Sequence, residues 1–153
     1  MTDLFLTQEK FRTRIVSDMR AGFGKDPLGD AVSLYFLTRN KIESDAIDNL
    51  IDWMNSWIEK TVGQDRPGRF VDREFTSAVL SYYSLKSIGR LGAQVTIERM
   101  SALATRYVTE GLFFNNLTYS LLILLAIHDS ADKFPVFPKV LDRIMKLIQA
   151  DAF

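Results

Sequence analysis

Apolar residues return every three or four positions along most of this chain. Phe11, Ile15, Met19 and Phe23 recur at four-residue steps, and Ile47, Leu50, Ile51, Met54 and Ile58 follow the i, i+3, i+4 spacing of one buried helix face. Ile97, Met100, Ala104, Tyr107 and Val108 repeat the pattern, as do Phe137, Val140, Leu141, Ile144 and Ile148. No stretch of useful length alternates with period two. Glycine and proline punctuate these runs at Gly22 to Gly24, Pro27, Gly63, Pro67-Gly68, Gly89, Gly92, Gly111, Pro135 and Pro138. The spacing predicts seven helices, over 3–21, 29–40, 44–62, 72–88, 95–110, 116–129 and 137–150, in one all-α domain covering 1–153. Ser44, Asp72 and Asn115 or Asn116 are candidate N-caps, and Pro135 and Pro138 suit a first helical turn, where a missing N–H costs nothing.

Three of the helices share a further pattern. Blocks rich in apolar and aromatic residues begin at Ala31, Phe75 and Tyr119, 44 residues apart. Each is apolar on more than one face, and a more clearly amphipathic helix follows it. Stacked helical hairpins produce this signature, with an inner helix buried on two sides and an outer helix half in solvent. An N-terminal helix and about three such hairpins are therefore expected; an irregular helical bundle is the alternative.

The segment Phe75 to Gly89 is a small-and-aromatic helix ending in Leu85-Lys86-Ser87-Ile88-Gly89. It resembles the inner helix of an α/α-toroid hairpin, as in protein prenyltransferase β-subunits and terpenoid cyclases. The resemblance implies an arc of hairpins with a concave face. The family's chemistry does not extend to this chain. The Asp, Cys and His zinc set of the prenyltransferases cannot assemble without cysteine, and no Gln-x-x-x-Gly-x-Trp repeat or clustered Asp-x-Asp-Asp motif is found.

Charge and composition narrow the function classes. The 19 Lys and Arg balance 19 Asp and Glu, so the basic excess of a dedicated nucleic-acid binder is missing. The lack of cysteine removes a disulfide scaffold, a thiolate zinc site and a cysteine nucleophile, and a single histidine removes a multi-histidine metal centre. Met1 to Leu6 does not read as a signal peptide, because Asp3 occupies the n-region and Glu9, Lys10 and Arg12 cut the apolar stretch short. The most apolar run, Leu121 to Ile127, falls well short of the roughly 20 residues that span a bilayer. A soluble, cytoplasmic protein is expected.

Several residue sets could carry function. Asp45, Asp48 and Asp52 fall at i, i+3 and i+7, on one helix face. Carboxylates so placed could hold Mg²⁺ and, through it, a diphosphate; the competing reading is a solvated face opposite Ile47, Leu50 and Met54. His128, beside Asp129, Ser130 and Asp132, is either a general base or a helix-end cation. Arg66, Arg69 and Arg73 surround Pro67-Gly68 as a candidate anion site or docking patch. Residues 63–111 carry a net charge of +2 and residues 25–62 a net −3, so pairing within the molecule competes with that reading. Among the aromatics, Trp53 and Trp57 are i, i+4 neighbours, and Tyr82 and Tyr83 cannot both point into the core. The helix from Leu117 to Ile127 is apolar all round, so it is either central or an open end that a partner or a second copy covers.

These readings favour a non-catalytic helical interaction or scaffold module that associates with itself or with another protein and needs no cofactor. The alternative is a binder of an apolar small molecule, a lipid or isoprenoid, in an aromatic pocket of Tyr82, Tyr83, Tyr119, Trp53, Trp57 and His128. Mg²⁺-dependent prenyl chemistry would be its catalytic extension. A nucleic-acid adaptor built on Arg66 to Arg106 ranks last.

Overall fold

A computed structural model describes residues 26–40, 45–64 and 69–151. The helix expected over 3–21 lies outside these residues. The described part is all-α with one short ribbon. Its elements are α1 (Pro27–Arg39), α2 (Asp45–Ile58), α3 (Val71–Ser87), α4 (Ile97–Arg106), the strands β1 (Val108–Thr109) and β2 (Leu112–Phe113), α5 (Leu117–Ile127) and α6 (Phe137–Asp151). A π-helical turn, Glu59–Gly63, extends α2, and a 3₁₀ stretch, His128–Lys133, follows α5.

α3 is the centre. It packs against α1, α2 and α5, whereas α6 packs against α5 and β2. From Phe75 to Leu85 every α3 side chain except Tyr83 is buried. Four of these are serine or threonine: Thr76, Ser77, Ser81 and Ser84. Thr76 donates to Asp72 O (2.8 Å), Ser77 to Arg73 O (2.6 Å) and Ser84 to Leu80 O (2.8 Å). These three hydroxyls find their acceptors in the preceding turn of their own helix, whereas Ser81 Oγ is buried with no acceptor among the described residues; the small bulk of all four lets neighbouring helices approach. Leu34 and Leu37 of α1, the stripe Ile47, Leu50, Ile51, Met54 and Ile58 of α2, and Ile123 and Ile127 of α5 complete the core.

Helix ends follow local chemistry. Pro27 opens α1, where its missing N–H is harmless. Asn116 caps α5 by accepting from Tyr119 N (2.9 Å), as its side chain predicts. Asp72 does not cap α3; it lies within the first turn and accepts from Arg73 N. Ser44 lies outside the described residues. α3 ends in a Schellman turn, with Gly89 at φ +70°, Gly89 N bonded to Lys86 O and Arg90 N to Leu85 O. The loop beyond is held by Asn55 of α2, which donates to Arg90 O (3.1 Å) and accepts from Gly92 N (2.7 Å) and Ala93 N (3.0 Å).

The helix expected over 95–110 stops at Arg106. Val108–Thr109 and Leu112–Phe113 instead pair antiparallel, Val108 with Phe113 and Thr109 with Leu112. Glu110 (φ +56°) and Gly111 (φ +81°) make the two-residue turn, whose paired left-handed conformations match the twist of a hairpin. Ser120 of α5 fixes the ribbon by accepting from Phe113 N (2.9 Å) while donating to Asn116 O (2.7 Å). Phe75, Tyr107 and Phe114 form an aromatic cluster beneath the ribbon, with ring centroids 4.9–6.1 Å apart.

Candidate functional site

The charged candidates are spread over several pairings. Asp48 is exposed and meets Arg90 at 3.3 Å, Asp52 is exposed on the same face, and the side chain of Asp45 lies outside the described residues. Among the described residues, no three His, Cys, Asp or Glu side chains gather as a metal site would require. Arg73 pairs with Asp26 at 3.2 Å, Arg69 lies over the Phe70 ring (5.6 Å), and Arg66 is outside the described residues. The two pairs Asp26–Arg73 and Asp48–Arg90 join the acidic segment 25–62 to the basic segment 63–111. Both are exposed and individually contribute little. His128 is exposed, with Nδ1 2.7 Å from Leu125 O and Nε2 3.0 Å from Asp129 Oδ1.

The aromatic candidates separate into three places. Trp53 and Trp57 stack on α2 with centroids 5.7 Å apart, and both indole N–H groups are buried without an acceptor. Tyr119 sits edge-on to Phe114 (6.4 Å), and burial, then the Asp72 carboxylate, hold its pKa above the ordinary value. Tyr82 and Tyr83 diverge as adjacent helical residues must. Tyr82 is buried in the core, and Tyr83 is half-buried with its ring edge-on to Tyr82 at 5.1 Å. Burial raises both pKa values first; Glu98 adds to the rise at Tyr82. At Tyr83 the neighbouring Ser130 opposes the rise, although no hydrogen bond closes on the buried hydroxyl.

Tyr83 lines a half-open groove of about 500 Å³. The groove forms where the C-terminal ends of α1, α3 and α5 meet, contributed by Tyr35 and Arg39, by Lys86 and Ile88, and by Leu125 and Asp129. Tyr82, Tyr119, Trp53, Trp57 and His128 are not in its lining. Of the six residues expected to form an aromatic pocket, Tyr83 alone lines this groove. Tyr35, Arg39 and Lys86 were not visible as a group in sequence, because helix ends more than 40 residues apart create the groove. Their one local signal was the position of Arg39 and Lys86 in a last helical turn, where a cation complements the carbonyl end of the helix.

A second feature lies on the C-terminal helices. Leu117, Leu121 and Leu125 form an i, i+4, i+8 stripe on α5 and are 41%, 48% and 44% exposed. Leu141, Met145 and Ile148 make a similar exposed stripe on α6. α5 itself contains no charged residue. No helix of the described residues is long and apolar enough to cross a membrane. In comparisons with known proteins, no family model, curated protein or solved structure matches this chain.

Proposed function

We propose that this protein is a non-catalytic helical interaction module that self-associates through α5 and α6, within the cytoplasm. The carrying observation is the stripe Leu117, Leu121 and Leu125, exposed on a helix without charge. Among the described residues, α3 packs against α1, α2 and α5, whereas α5 packs extensively on α3 and makes smaller contacts with β2, the 3₁₀ stretch and α6. The apolar stripe of α5 is therefore left facing outward, where the next hairpin of a longer array would stand.

A second copy suits this face better than a charged partner. In a two-fold contact the same patch meets itself, residue i against j and j against i, so a patch carrying charge of one sign repels its copy. α5 has none to oppose, and on α6 Asp142 pairs with Lys146 at 2.9 Å, which leaves the exposed Lys139 and Arg143 as the charges that a second copy must seat apart. The six exposed side chains offer on the order of 80 Å² each, so two copies would bury about 1,000 Å² from these alone, near the lower bound for a specific interface. The absence of cysteine suits a reducing compartment.

Sedimentation equilibrium of the full chain tests the proposal. The expected result is a mass rising with concentration from 17.5 kDa toward twice that value. Leu121→Lys should weaken association at least about tenfold, by placing an unpaired cation against its own copy. A monomer at every concentration overturns the reading, as does a dimer insensitive to Leu121→Lys.

A further inference from the structure

The groove at the ends of α1, α3 and α5 shares Leu125 with the proposed self-association face and none of its other residues. Its lining carries both signs of charge. Arg39 and Lys86 stand at two helix C-termini, and neither has a carboxylate partner among the described residues; Arg39 lies 5.1 Å over the Tyr35 ring, and Lys86 is 5.9 Å from the rings of Tyr82 and Tyr83. Asp129 faces the groove from the 3₁₀ stretch. The hydroxyls of Thr38, Ser84 and Ser87 already donate to Tyr35 O, Leu80 O and Ser84 O, so toward a ligand their oxygens act as acceptors. Three converging helix C-termini add a negative field that disfavours a simple anion and attracts a cationic group. Ile88 and Leu125, both partly exposed, supply apolar wall.

We infer that this groove binds a small zwitterion with an apolar body, the chemical class of a free aromatic or aliphatic amino acid. The ligand carboxylate goes to Arg39 and Lys86. Its ammonium goes to Asp129 and the hydroxyl oxygens, and its body lies against Ile88 and Leu125. A purely anionic ligand leaves the acceptors unused against the helix-end field, and a purely cationic one meets Arg39 and Lys86 uncompensated. The volume of about 500 Å³ falls within the range of small-molecule sites.

Calorimetric titration of the full chain with phenylalanine, hydrocinnamate and phenethylamine tests the inference, because the second lacks the ammonium and the third the carboxylate. Phenylalanine is expected to saturate, and each analogue to bind at least about tenfold more weakly. Arg39→Gln with Lys86→Gln should remove the preference for phenylalanine over phenethylamine, and Asp129→Asn the preference over hydrocinnamate. All three positions are exposed, so the variants should keep the wild-type circular dichroism. No saturation by phenylalanine overturns the inference, as do equal binding of either analogue or unchanged preferences in the folded variants. The Leu121→Lys chain serves as a second host for the same titration; binding there separates loss of the site from loss of self-association.

Discussion

α3 and α5 lie side by side, and their sequences rank them in the opposite order from their burial. α5 runs Leu117 to Ile127 without a charge, whereas α3 includes Asp72, Arg73, Glu74, Lys86 and five Ser or Thr residues. Yet from Phe75 to Leu85 α3 leaves only Tyr83 unburied, and α5 leaves Leu117, Leu121 and Leu125 more than two-fifths exposed. The difference comes from neighbours. α3 is enclosed by the helices α1, α2 and α5, while α5 packs extensively on α3 and makes smaller contacts with β2, the 3₁₀ stretch and α6. The buried hydroxyls of Thr76, Ser77 and Ser84 are tolerated in α3 because the helix backbone one turn back accepts from them; Ser81 has no such partner among the described residues. Position in the packing decides burial, and composition shows only what each position tolerates or leaves unsatisfied.

Paired truncations give the largest effect that would break this comparison. Leu80→Ala on α3 removes a fully enclosed side chain and should cost about 2–5 kcal/mol. Leu121→Ala on α5 should cost under about 1 kcal/mol at dilution. Urea denaturation of both variants measures the contrast; equal losses would mean α5 is as enclosed as α3.

The next effect concerns what holds the end of α3. Asn55→Ala removes three hydrogen bonds to the 90–93 loop and strands two N–H groups, for a loss of about 1–3 kcal/mol by the same denaturation. Asn49, exposed on the same helix, is the control, and Asn49→Ala should be near neutral.

Smaller effects sharpen the account of buried polar groups. Tyr83→Phe deletes a buried hydroxyl without a partner and should leave stability unchanged or raise it by up to about 1 kcal/mol. The pH dependence has a defined sign. Tyr82, Tyr83 and Tyr119 all have pKa values raised above the ordinary 10.0. Above pH 10.0 the unfolded chain therefore releases protons that the folded chain retains, and stability falls as pH rises through this range. Thermal melts between neutral pH and pH 11 should show that fall, and Tyr83→Phe should make it shallower.

Much of the helical layout was legible because the helices are long relative to their hydrophobic period. The α2 stripe of Ile47, Leu50, Ile51, Met54 and Ile58 is buried as its spacing predicts. Tyr82 and Tyr83 separate as adjacent helical residues must. The ribbon was not legible, since two-residue strands are too short to alternate and Tyr107 and Val108 continue the helical spacing of α4. Its one local sign was Gly111 after Glu110, a left-handed turn pair. Of the aromatic set, only Tyr83 lines the groove; Trp53 and Trp57 stack on each other and Tyr119 sits edge-on to Phe114. The groove residues Tyr35, Arg39 and Lys86 meet only through packing between distant segments. Exposure of the α5 stripe was one of two open outcomes, and the packing around α3 decides it.

Hydrogen exchange of α3 and α5, compared at low and high protein concentration, tests the central claim most directly. The account predicts that α3 amides are equally protected at both concentrations. Amides of α5 should exchange faster than those of α3 at dilution and gain protection as concentration rises and a second copy covers Leu117, Leu121 and Leu125. Protection of α5 that already equals that of α3 at dilution, unchanged by concentration, would contradict it.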